Sequence, residues 1–156
     1  MKKIGMHTAR GQINETDTAA GRPKMVQLFD GSFKTAYRVV DFKIWGSNWA
    51  SSSTNPDVIG KLSTSENSSG AAATFMNADD DAEIGWAASA GGIEGGGAPF
   101  ADSIVDLDNL IIEDLYVYAL STGSATTGIN YLIVMEKYQI SEGMGALAMA
   151  RDAQDA

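Results

Sequence analysis

Two segments, Asn109–Leu120 (NLIIEDLYVYAL) and Ile129–Ile140 (INYLIVMEKYQI), limit the fold more than anything else in the chain. Both are rich in β-branched and aromatic residues, and the intervening STGSATTG has the composition of a loop, so a long hairpin is expected here. Each strand is apolar on both faces: Leu110, Ile112, Tyr116 and Tyr118 lie on one side of the first, and Ile111, Leu115 and Val117 on the other. Central or interface strands carry that pattern, because a strand with one wet face alternates instead.

The rest of the chain reads as shorter strands separated by small polar loops. Lys24–Phe29 and Thr35–Trp45, joined by Asp30-Gly31-Ser32, predict a second hairpin. In its second strand Ala36, Arg38, Val40, Phe42 and Ile44 form one pleated face, and Tyr37, Val39, Asp41, Lys43 and Trp45 the other. Asn55-Pro56-Asp57 is a turn signal before a short strand at Val58–Leu62, and Ala82–Ser89 is a further strand. Residues 63–81 lack either periodicity and predict an extended surface loop. Five glycines in the nine residues 91–99 break regular structure. The tail SEGMGALAMARDAQDA predicts a short helix or an arm, with Ser141 as its N-cap.

Seven or eight strands without long periodic helices point to an all-β fold, an antiparallel β-sandwich. A jelly roll is the first expected topology and an immunoglobulin-like sandwich the second. The 156 residues suit one domain, with no internal repeat. Residues 1–140 are assigned to the sandwich, 1–23 being an extended N-terminal arm, and 141–156 to the C-terminal helix or arm.

Composition removes many functions. With no cysteine there is no disulfide, thiolate zinc site or thiol nucleophile, and one histidine, His7, excludes histidine metal clusters. A surface or packing role is expected for His7 rather than base catalysis. A net charge of −9 is the wrong sign for gripping a phosphate backbone, so no nucleic-acid partner is expected. The opening lacks the apolar run of a signal peptide, and no stretch reaches the roughly 18 apolar residues of a membrane span. The charge is also segregated. Residues 1–45 hold eight Lys/Arg and four Asp/Glu (net +4), residues 46–156 three and sixteen (net −13), and no Lys or Arg lies between Lys61 and Lys137.

Two carboxylate-rich stretches, Asp79-Asp80-Asp81-x-Glu83 and Asp102 to Asp114, are weighed as hard-cation sites, with Asp79, Asp81, Asp106 and Asp108 as the candidate Ca²⁺ ligands. Neither has the frame of an EF-hand, and solvated acidic loops are the stronger expectation, so no cofactor is expected. Nothing in the spacing sets two carboxylates at the separation a glycosidase needs. The glycines of 91–97 lack a P-loop order, and the sequons at Asn14 and Asn67 read as chance. Trp45 and Trp86 read as core or interface residues, whereas Trp49, in the polar loop GSNWASSS, wants a partner surface.

The opening MKKIGMHTARGQI, the block YRVVDFKIWGSN and the strands DNLIIEDLYVYAL and INYLIVMEKYQIS, closed by an alanine-rich tail, resemble small structural proteins of bacteriophage particles, those of marine and environmental phages in particular. The resemblance spans most of the chain, lies in its overall texture, and transfers no functional residue. It implies a minor capsid, cement or decoration protein of the virion, assembled in the host cytoplasm, without enzymatic activity or a small-molecule substrate. The charge pattern independently favours assembly with copies of itself or with other capsid proteins. Lys2, Lys3, Arg10, Arg22 and Lys24 are expected to face Asp79, Asp80, Asp81, Asp106 and Asp108 of a neighbour, with Trp49 in the interface. The alternative is a module binding carbohydrate or a host surface through Trp49 and nearby tyrosines.

Overall fold

The computed structural model describes residues 1–14, 21–47, 57–70, 74–90, 100–121, 128–141, 143–145 and 147. Among these are eight strands: β1 (Lys2–Ile13), β2 (Lys24–Val26), β3 (Thr35–Gly46), β4 (Val58–Ser63), β5 (Glu83–Ala90), β6 (Phe100–Val105), β7 (Leu115–Ser121) and β8 (Ile129–Gln139). They form two antiparallel sheets, β1-β8-β3 and β2-β7-β4-β5-β6. No helix of the described residues is long and apolar enough to cross a membrane.

The order of the two sheets is jelly-roll-like. Pairing the chain from its two ends inward gives β1 with β8 in the three-stranded sheet, and β2 with β7 and β4 with β5 in the five-stranded one. One strand departs from the scheme: β6 ladders onto β5 instead of β3, leaving β3 over β5 and β6. A side-chain bond, Ser103 Oγ to Asp41 Oδ1 at 3.4 Å, ties β6 to β3.

This wrapping overturns both expected hairpins. β2 pairs with β7 while β3 pairs with β8 in the other sheet, and β7 and β8 likewise belong to different sheets. The apolar residues of β7 and β8 meet face to face across the core instead of side by side: Leu115, Val117 and Ala119 from one sheet, Ile129, Ile133 and Met135 from the other, each at most 2% exposed. Burying each such side chain contributes roughly 1.5–3 kcal/mol. The stretch before β7 is not strand, although Ile111 makes an isolated bridge to Tyr37. β2 is short because the N–H groups of Leu28 and Phe29 donate to Asp114 Oδ1 (2.8 and 3.1 Å) instead of to a neighbouring strand.

The N-terminal arm is also corrected. Residues 2–13 lie along β8 as the edge strand of the three-stranded sheet, with a bulge at Ile4. Its inward positions are small because the sheet's own tyrosines fill the space: a Cβ on Gly11 would sit 2.6 Å from the Tyr131 hydroxyl. The β6 strand, FADSIV, was not anticipated, since an edge position tolerates its Asp and Ser. In β3 a bulge at Val40 shifts the alternation, so the inward side chains are Tyr37 and Val39 before it and Phe42 and Ile44 after it.

Other expectations hold. β4 and β5 lie where the sequence places them, and Ser141 caps a single helical turn, its Oγ accepting from Met144 N–H at 3.3 Å and its carbonyl from Gly145 N–H at 3.0 Å. The stretch between β4 and β5 is a loop as expected, yet it is not merely a surface excursion, because Phe75 is 2% exposed. Trp49, residues 91–99 and residues 148–156 lie outside the described residues.

Candidate functional site

The outer face of the loop-bearing sheet carries a buried ion pair. Lys61 on β4 points outward from the core, opposite Trp86 on β5 and Tyr118 on β7. The loop 64–82 folds back over it. Lys61 Nζ lies 3.3 Å from Glu83 Oε2, donates to the Ser69 carbonyl at 2.7 Å, and sits 4.9 and 5.1 Å from the ring centres of Phe75 and Tyr118. Glu83 Oε1 accepts from Asn77 N–H and from Trp86 Nε1–H, both at 3.0 Å. Both members of the ion pair are buried, with side chains 0% and 1% exposed. Removing charges from water is costly, and only this dense bonding, with the two rings facing the ammonium, offsets the desolvation. Sequence reasoning passed over this pair. The available signal was a lone Lys inside the apolar strand VIGKL, far from any other cation.

Tyr118 belongs to the same cluster and donates to the Ser65 carbonyl at 3.3 Å. Burial, reinforced by Glu66, pushes its hydroxyl from 10.0 up to about 12. Tyr131 and Tyr116 are raised as well, chiefly by burial. A folded-state value above the unfolded one favours the neutral hydroxyl in the folded chain, so that stability is complete below pH 10 and declines as pH rises from 10 towards 12. Chemical denaturation at pH 9 and pH 11 should therefore show a loss of stability at the higher pH, and Tyr118→Phe should flatten part of it.

Beside the buried pair an open polar cleft of about 360 Å³ is walled by Asp80, Asp81, Glu83, Trp86, Asp106 and Asn109. Its carboxylates are largely engaged in holding their own turns. Asp80 Oδ1 accepts from Ala82 N–H at 3.0 Å, Asp106 Oδ1 from Asp108 N–H at 3.0 Å, and Asp106 Oδ2 from Asn109 Nδ2 at 2.7 Å. Of the four candidate Ca²⁺ ligands, the structure brings Asp81 and Asp106 to this cleft, while Asp79 and Asp108 stand exposed outside its lining. Among the described residues no three acidic or imidazole side chains converge as a metal would require.

The opposite charge collects on the other sheet. Lys2, Lys3 and Arg10 lie on β1, Arg38 and Lys43 on β3, and Lys137 on β8, against Asp41 and Glu136. Lys3 Nζ meets Glu136 Oε1 at 2.5 Å, the Tyr138 hydroxyl donates to Glu136 Oε2, and the Arg38 guanidinium lies 5.3 Å from the Tyr138 ring centre. The bond from Lys3, then that from Tyr138, holds the Glu136 carboxyl below its ordinary value. Lys43 pairs with Asp41 at 3.5 Å, whereas Arg10 and Lys2 make no ion pair among the described residues. Lys24 lies on β2, an edge strand of the five-stranded sheet. Arg22 is exposed nearby in sequence, before β2. His7 packs against the Tyr37 ring, the centroids 5.5 Å apart, which agrees with a packing role. Trp45 is half-buried on the outer face of the three-stranded sheet, opposite Asn130.

The chain matches no protein-family model, no curated protein and no solved structure.

Proposed function

We propose that the protein is a structural module that acts through subunit contacts, a building block or a decoration or cement component of a bacteriophage capsid. The observation that supports this most is the division of charge over the folded surface. The β1 strand and its sheet gather Lys2, Lys3, Arg10, Arg38 and Lys43, whereas Asp79, Asp80, Asp81, Asp106, Asp108 and Glu113 occupy the loops flanking β5, β6 and β7. Lys61, the last Lys before these acidic residues in sequence, is sequestered with Glu83 and cannot neutralise them. Surfaces of opposite sign on one rigid body attract copies of that body in a fixed orientation. The jelly roll accommodates this role, as it does lectin-type binding, and does not choose between them.

Self-association should weaken as salt rises towards 1 M, where the screening length falls to about 3 Å. Sedimentation velocity on the full chain across a salt series measures this. A chain that stays monomeric at every salt concentration, and instead binds a glycan array through the Trp86 cleft, would favour the carbohydrate- or host-surface-binding alternative.

A further inference from the structure

We propose that the free edge of β1 in one copy adds, antiparallel, to the free edge of β6 in a second copy, with Arg10 set against Asp102. The inference rests on the assembly reading and names the surfaces it would use.

Edge strands carry a row of main-chain donors and acceptors that will pair with any available strand unless it is obstructed. Among the described residues β1 pairs with β8 alone. After its bulge at Ile4 it runs without interruption from Gly5 to Ile13, with no proline and with Gly5, Ala9 and Gly11 offering no side-chain bulk to cover the edge. β6 is likewise the last strand of its sheet, and among the described residues no main-chain hydrogen bond joins it to β3.

Charge selects the partner. β1 carries Lys2, Lys3 and Arg10 and no carboxylate, so pairing it with its own copy sets a wholly basic strand against itself. β6 and the turn after it carry Asp102, Asp106 and Asp108 and no cation. Placing Arg10 opposite Asp102 puts Ala9 opposite Ser103, Thr8 opposite Ile104 and Gly11 opposite Ala101. Lys2 and Lys3 then come level with the turn at Asp106–Asp108. The same register removes two exposed apolar side chains from water: Ile104, 68% exposed, becomes the diagonal neighbour of Met6, 55% exposed. Edge, charge and apolar surface thus agree on one alignment. Because the two edges differ, the contact is head-to-tail and builds rings or open arrays rather than a closed two-fold dimer.

The test is sedimentation in low salt of the full chain, of Arg10→Asp, of Asp102→Arg, and of the two variants mixed in equal amounts. Both side chains are exposed, so circular dichroism should show the fold unchanged. Each variant alone should associate about tenfold or more weakly than the unaltered chain, since like charges then face each other across the junction. The mixture should recover association, because the altered edge of each variant matches that of the other. Variants that associate as well as the unaltered chain would overturn the strand addition and leave the assembly reading standing. An unaltered chain that remains monomeric would overturn both.

Discussion

Glu83→Leu should lower the free energy of unfolding by about 3–5 kcal/mol, the cost of leaving a buried charge without its partner. Total stability for a domain of this kind is about 5–15 kcal/mol, so the variant should lose a large share of it. The cause is specific to the surroundings of Lys61. Its ammonium is inaccessible to water and, with Glu83 removed, keeps among the described residues the Ser69 carbonyl and two ring faces. The Asn77 N–H and Trp86 Nε1–H lose their acceptor at the same time, so the loop 64–82 is released from the sheet. Replacing both members, Lys61→Met with Glu83→Leu, should recover much of the loss, because a buried ion pair is worth little more than well-packed apolar groups of similar volume. Urea denaturation of the three proteins decides the matter. A single Glu83→Leu change that costs less than about 1 kcal/mol would show that the pair does not hold the loop.

Adjacent valines in β3 should respond in opposite ways to one substitution. Val39 is 1% exposed and belongs to the main core, whereas Val40 occupies the bulge and is only half-buried. Val39→Asp forfeits roughly 1.5–3 kcal/mol of apolar burial and adds several more for a carboxylate with no buried cation beside it. That sum matches the stability of many domains, so the protein should not accumulate in folded form. Val40→Asp should stay within about 1 kcal/mol of the unaltered chain. Thermal melts or soluble expression of the pair would show the contrast. Strict alternation along Thr35–Trp45 places Val40, with Phe42 and Ile44, on the apolar face and Val39 on the mixed one, so it ranks the two variants the other way round.

That reversal shows what the residues disclose. The all-β sandwich class was legible because β-branched runs and small polar loops recur at strand-like spacing, and β4, β5 and β8 fall where their apolar residues put them. Connectivity was not. Neighbouring strands usually pair, and Asp30-Gly31-Ser32 looks like a hairpin turn, but a jelly roll sends the next strand to the other sheet; the two expected hairpins were incompatible with the expected topology. β1 was taken for an arm because its inward positions are His, Ala and Gly, and only the fold shows Tyr131 and Tyr37 filling the space beneath them. The charge imbalance was plain in the sequence, whereas the withdrawal of Lys61 into the ion pair required three dimensions. The acidic candidates divided for a local reason: Asp106 serves its own turn and shares the cleft with Asp81, and the lining leaves out Asp79 and Asp108.

The ladder between β1 and β8 also governs how the protein is made. Lys3 and Glu136 are 133 positions apart, so β1 has no partner until almost the whole sandwich has been synthesised. At roughly 5–20 residues per second that wait is on the order of ten seconds. During this interval β1 offers both of its edges to other nascent chains, and pairings so distant along the polypeptide close slowly even after release. Yield from expression should therefore be more sensitive to changes in β1 than the stability of the purified protein is.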